Sequence, residues 1–205
     1  MITESCMIKN WHIRKIKLSR LFLLSAGLFS VSGIANTVKI HKNPTTGLLT
    51  WAVEDKGFSL ELIQLNPDFV RAVYEKHGLP QAEVERIAGY CVFGSILRNT
   101  SAKYTMYYRV ADWRYRTKKG NEYPVKTKTQ WLHEWKKVGV PFSWTLLPDA
   151  GDFNVGDWQQ GFTTIKLPRN TQFDFIYKWQ MDGKNYSGTI KNMRCAPAHL
   201  MENKK

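Results

Sequence analysis

At 205 residues the chain holds one domain or at most two small ones, and its 43% apolar content excludes global disorder. Aromatic residues reach 13%, with eight Trp, a composition that suits the half-buried pleated surfaces of β-sandwiches. The formal net charge of +13 directs the search for partners toward anionic ones.

The chain opens on a basic stretch (Lys9, Arg14, Lys15, Lys17, Arg20), followed by an apolar run of eleven residues, LFLLSAGLFSV, over positions 21–31. That run is too short to cross a bilayer as a helix. Gly33, Ile34 and Ala35 then supply the small residues that a leader peptidase reads, so residues 1–35 are predicted to be a signal peptide cleaved near Ala35. The competing reading, an uncleaved anchor, is disfavoured by Ser25, Gly27 and Ser30 within the run. The expectation is an exported protein, periplasmic or secreted, with no transmembrane span after cleavage. Removing five Lys/Arg and one Glu leaves 25 basic and 16 acidic residues, a net charge of +9.

Residues 36–46, which include His41-Lys42-Asn43-Pro44, read as a flexible tether. Residues 47–205 read as a single domain. Alternation at 48–53 and 58–65 predicts two strands joined by a turn at Asp55-Lys56-Gly57. Asn66-Pro67 opens a helix with Phe69, Val70, Val73 and Tyr74 on one face and Gly78 as its stop. Pro80 opens a second helix, striped by Val84, Ile87 and Ala88, that ends at Cys91. Strand period returns from Tyr104 through Val110, Lys118-Lys119-Gly120-Asn121 marks a turn, and 127–138 is an amphipathic helix carrying Trp131, Trp135 and Val138. Short strands follow at 142–147, 162–167, 173–179 and 186–193, the last two joined through Asp182-Gly183. The predicted fold is mainly β: an antiparallel immunoglobulin-like β-sandwich with a few short helices inserted on one side.

Cys6 leaves with the leader, so Cys91 and Cys195 remain to pair in an oxidising compartment, and a disulfide between them is expected. Between Arg109 and Lys137 nine basic residues (Arg109, Arg114, Arg116, Lys118, Lys119, Lys126, Lys128, Lys136, Lys137) face only Asp112, Glu122 and Glu134, a local charge of +6. Such a patch suits an acidic protein or another anionic envelope component. Nucleic acid is excluded as a partner by the export signal.

The stretch 193–201, MRCAPAHLM, sets Cys195, His199 and Met201 after a strand. Over these nine residues the order Cys, His, Met resembles the C-terminal ligand loop of the cupredoxins, which implies a blue-copper centre. It departs from that pattern in three ways. Only Leu200 separates His199 from Met201, only four residues follow Met201, and Cys91 competes for the Cys195 sulfur. What remains is a softer expectation: Met193, His199 and Met201 as thioether and imidazole ligands for Cu(I), the one cofactor the sequence suggests.

Asp149, Asp152, Asn154 and Asp157 offer oxygens to Ca²⁺, but their spacing is not that of an EF-hand, and the same residues are what turns require. No nucleophile elbow and no glycine-rich phosphate loop occur, and His133-Glu134 lacks the second His of a zinc-protease helix. No enzymatic activity is expected. Most Trp residues, Trp144 among them, fall on predicted core faces. Trp158, in the GDWQQG stretch, falls in a predicted turn beside Gln159 and Gln160 and is the candidate recognition spot. The functional expectation is an exported, non-catalytic binding or accessory protein that docks on an anionic envelope partner through the basic patch. The alternative is a periplasmic copper-handling protein that uses the C-terminal His and Met.

Overall fold

A computed structural model describes residues 37–139 and 145–200. The predicted leader, Trp144 and Met201 lie outside the described residues. The described residues are mainly β, with two antiparallel sheets and three short helices among them.

The first sheet has the order β1-β2-β3-β4-β9, formed by β1 (Lys39–Lys42), β2 (Leu49–Asp55), β3 (Phe58–Leu65), β4 (Cys91–Asn99) and β9 (Trp158–Ile165). In β3 each second side chain is buried, as its alternating sequence FSLELIQL dictates. The second sheet is built on β10 (Gln172–Met181). One edge of β10 pairs with β11 (Lys184–Arg194), and its other edge pairs with β6 (Arg114–Thr117) and β5 (Met106–Arg109). Strands β5 and β6 are thus two halves of one rank, interrupted by a single 3-10 turn at Val110–Asp112. The rank is flanked by β7 (Glu122–Pro124) on β6 and β8 (Ala150–Phe153) on β5.

The sheets pack face to face in a sandwich-like arrangement. Phe58 of β3 stacks on Trp179 of β10 with ring centroids 4.9 Å apart, and Phe93 of β4 meets the edge of Phe173 at 6.0 Å. The buried Gln64 side chain accepts from the Leu49 amide at 2.7 Å and donates to the Arg194 carbonyl at 2.7 Å, which ties β3 to the end of β11. Beside it, Cys91 and Cys195 form the expected disulfide, with Cα atoms 5.2 Å apart.

A second core lies on the outer face of the first sheet. There α1 (Pro67–Lys76), α2 (Gln81–Ala88) and α3 (Lys128–Lys136) bury Val70, Tyr74, Val84, Ile87, Trp131 and Trp135 against Val92. Trp131 Nε1 donates to Thr164 Oγ1 of β9 at 2.8 Å. Helix α3 starts on a capping box between Thr127 and Gln130, and the Asp149 carboxylate accepts from the amides of Lys128 and Thr129 at 2.6 and 3.0 Å. Asp149 is therefore a helix cap rather than a calcium ligand, and Asp157 accepts from the Asn154 amide to close its turn.

Three expectations need correction. The second helix stops at Ala88, and Cys91, expected at its end, instead opens strand β4. Residues 39–42, assigned to the tether, form edge strand β1 on β2. The polar stretch after them is a hairpin loop, because Asn43 Oδ1 accepts from the amides of Thr45 and Thr46, and Gly47 takes φ 71°. Trp158 opens strand β9 rather than sitting in a turn.

Candidate functional site

The nine basic residues expected to form one patch are sorted by their partners. Arg109 is clamped on Asp112 by two hydrogen bonds of 2.9 and 2.8 Å. Arg116 is held by Glu122 at 2.6 Å across the β6–β7 hairpin. Arg114 donates to the carbonyls of Ala111 and Trp113. Lys126 stands with its ammonium 3.5 Å from the centroid of Trp131 and bonds Glu134 at 2.6 Å; Arg86 binds the same carboxylate. Burial lowers the Lys126 pKa against the pull of Glu134. Lys128 and Lys136 are the first and last residues of α3 and Lys137 is its C-cap, the last two at the negative end of its dipole.

Only Lys118 and Lys119 are uncommitted within the β6–β7 hairpin. They project from its tip, which closes through Gly120 at φ 86° and a Thr117 amide bond to the Asn121 carbonyl at 3.0 Å. Among the described residues no carboxylate lies within ion-pair distance of either. They line a groove of about 760 Å³ between the hairpin and the loop through Leu167, Pro168 and Asn170. Arg194, the last residue of β11, is the third cation in this groove, and no Asp or Glu among the described residues lines it. Tyr123, 42% exposed, forms part of its wall and stacks on Tyr115 at 5.5 Å.

Arg194 was invisible to a local reading, since it is remote in sequence from the hairpin. Pairing brings it there: β6 and β11 flank β10, so Thr117, Gln172 and Arg194 come together at one end of the three strands. The one sequence signal that bears on it is the neighbouring Cys195, whose disulfide anchors this end of β11.

The other candidates part company. Trp158 is 55% exposed, with the Arg98 guanidinium 5.9 Å from its ring. Gln160 shares its face of β9, whereas Gln159 faces the other way, 3.5 Å from the Tyr108 hydroxyl. Of the metal candidates, His199 is exposed, but Met193 is fully buried in the main core and Cys195 is committed to its disulfide. Met193 is thus withdrawn from any ligand set with His199, and Met201 lies outside the described residues. Among the described residues, no three His, Cys, Asp or Glu side chains come together to hold a metal. No helix among them is long and apolar enough to cross a membrane.

Comparison with known proteins finds no family model, no curated protein and no solved structure that matches the chain.

Proposed function

We propose that the protein is exported and acts, without catalysis, as a binding or accessory protein that docks on an anionic envelope partner through the Lys118–Lys119–Arg194 groove. The observation that carries this reading is the convergence of three cations, from the hairpin tip and from β11, in one groove that no carboxylate among the described residues lines. Cations already held by Asp or Glu spend their charge within the fold, whereas these three face solvent with theirs available. The predicted leader and the disulfide support export.

The test is binding to vesicles with and without phosphatidylglycerol, and to polyglutamate, which separates a lipid surface from an acidic protein. Charge reversal at Lys118, Lys119 and Arg194 together should weaken binding about tenfold or more and flatten its salt dependence. Reversal at Arg109, which Asp112 already neutralises, should change it far less. Equal losses in the two variants, or binding indifferent to salt, would overturn the groove as the docking site.

A further inference from the structure

Among the described residues, the helices cover one end of the outer face of the first sheet and leave the other open. Register orders this face into rows. Leu65, Val92 and Thr164 lie beneath the helices. Next come Ile63, Gly94 and Phe162, then Glu61, Ile96 and Gln160, and last Ser59, Arg98 and Trp158. A groove of about 430 Å³ opens where the helices stop, within the size range of small-molecule sites. Ile63, Ile96, Val73 and Phe162 give it apolar walls, and Gly94 contributes no side chain to its floor.

Neither the backbone nor close packing requires glycine at position 94. Gly94 is not among the positive-φ residues, and a Cβ there would meet Ile63 Cβ at 3.8 Å and Leu65 Cδ2 at 3.9 Å, ordinary contacts. The contrast is Gly161 in β9, where a Cβ would run into the backbone of Leu147. Gly161 is therefore a packing glycine, whereas Gly94 keeps a space open that a larger side chain would fill.

Charge gives the groove a direction. Lys76, the last residue of α1, and His77, its cap, stand at the rim, and no Asp or Glu among the described residues lines the groove. The nearest acidic position on the sheet face, Glu61, lies one row further from the helices. The geometry points to a binding site for a single-chain anionic amphiphile such as a fatty carboxylate. Its acyl chain lies over Gly94 between Ile63, Ile96 and Phe162, and its head group lies at Lys76. This site is on the opposite sheet from the docking groove, so either proposal can fail without the other.

Titration calorimetry of the purified protein with dodecanoate and with dodecanol tests it, alongside the Gly94→Leu and Lys76→Glu variants. Wild type should bind dodecanoate more tightly than dodecanol. Gly94→Leu should weaken dodecanoate about tenfold or more, since each methylene kept out of the groove forfeits burial. Lys76→Glu should weaken dodecanoate about three- to tenfold and leave dodecanol unchanged. Amide chemical-shift mapping of the wild type adds a readout that needs no variant, with the largest shifts expected at Ile63, Gly94, Ile96 and Phe162. No binding of dodecanoate, unchanged binding in folded Gly94→Leu, or shifts centred elsewhere would overturn the site. Equal affinity for the two probes would overturn the anionic head group.

Discussion

Glu134 shows how a carboxylate on a half-open surface is held charged. Burial works against its ionised form, but hydrogen bonds from Lys126 and Arg86 outweigh that and hold its carboxyl below the ordinary range. A carboxyl depressed in the folded state adds stability that is complete above its unfolded pKa and is lost as pH falls through the folded one. Wild type should therefore lose about 1 kcal/mol more than Glu134→Gln between neutral and strongly acid pH, a modest figure because water screens a carboxylate this exposed. Urea denaturation of both proteins at the two pH values checks it, and equal losses would refute it. The same residue explains why charge density along the sequence overstates the patch. Pairs such as Arg109 with Asp112 sit three apart and are legible. The Glu134 cluster needs Arg86, which only folding brings to α3. Arg194 reaches the groove by strand pairing, and no local window contains that information.

Among the elements, α3 depends on a contact its own sequence does not hold. Thr127 caps it locally, as the T-x-x-Q spacing implies, but the first amides of the helix also bond Asp149 beside β8. Asp149→Ala should cost about 1–2 kcal/mol, comparable to or larger than Thr127→Ala at about 1 kcal/mol, because it removes a charged acceptor from the positive end of the helix. Thermal unfolding of the two variants measures the difference; a neutral Asp149→Ala would show that the cap is dispensable. Strands with one buried face were readable from period two alone, as in β3 and β10. Edge strands were harder. Strand β1 is exposed at all four positions, so no apolar alternation marks it. Alternation marks the rank as far as Val110 and misses β6 beyond it, because a three-residue turn that keeps Val110 and Trp113 inside interrupts the period. Gly156 and Asp157 just before Trp158 signal a turn, whereas its pairing with Arg98 makes it the first residue of β9.

Across the whole molecule, the disulfide is the long-range contact most legible in the sequence, since Cys91 and Cys195 are the two cysteines outside the predicted leader. The two-sheet arrangement followed from the spacing of the strands. The neighbour relations within the sheets did not, because pairing between strands as remote in sequence as β4 and β9, where Cys91 meets Ile165, leaves no local mark. The bridge joins positions 104 apart, and its reduction should lower stability by about 4–5 kcal/mol on loop-entropy grounds. Chemical denaturation with and without reductant reads this directly, and a change near zero would mean that the packed sheets alone fix that end of β11.

The same bridge gives the chain a covalent topology: a ring from Cys91 to Cys195, with β1–β3, α1 and α2 as an arm outside it. The Lys118-Lys119 tip lies on the ring. One tryptic cut there opens the ring without releasing a fragment, so the nicked protein should run at full mass on a non-reducing gel and as two pieces after reduction. The basic tip can thus be severed by proteolysis while the molecule stays a single covalent unit.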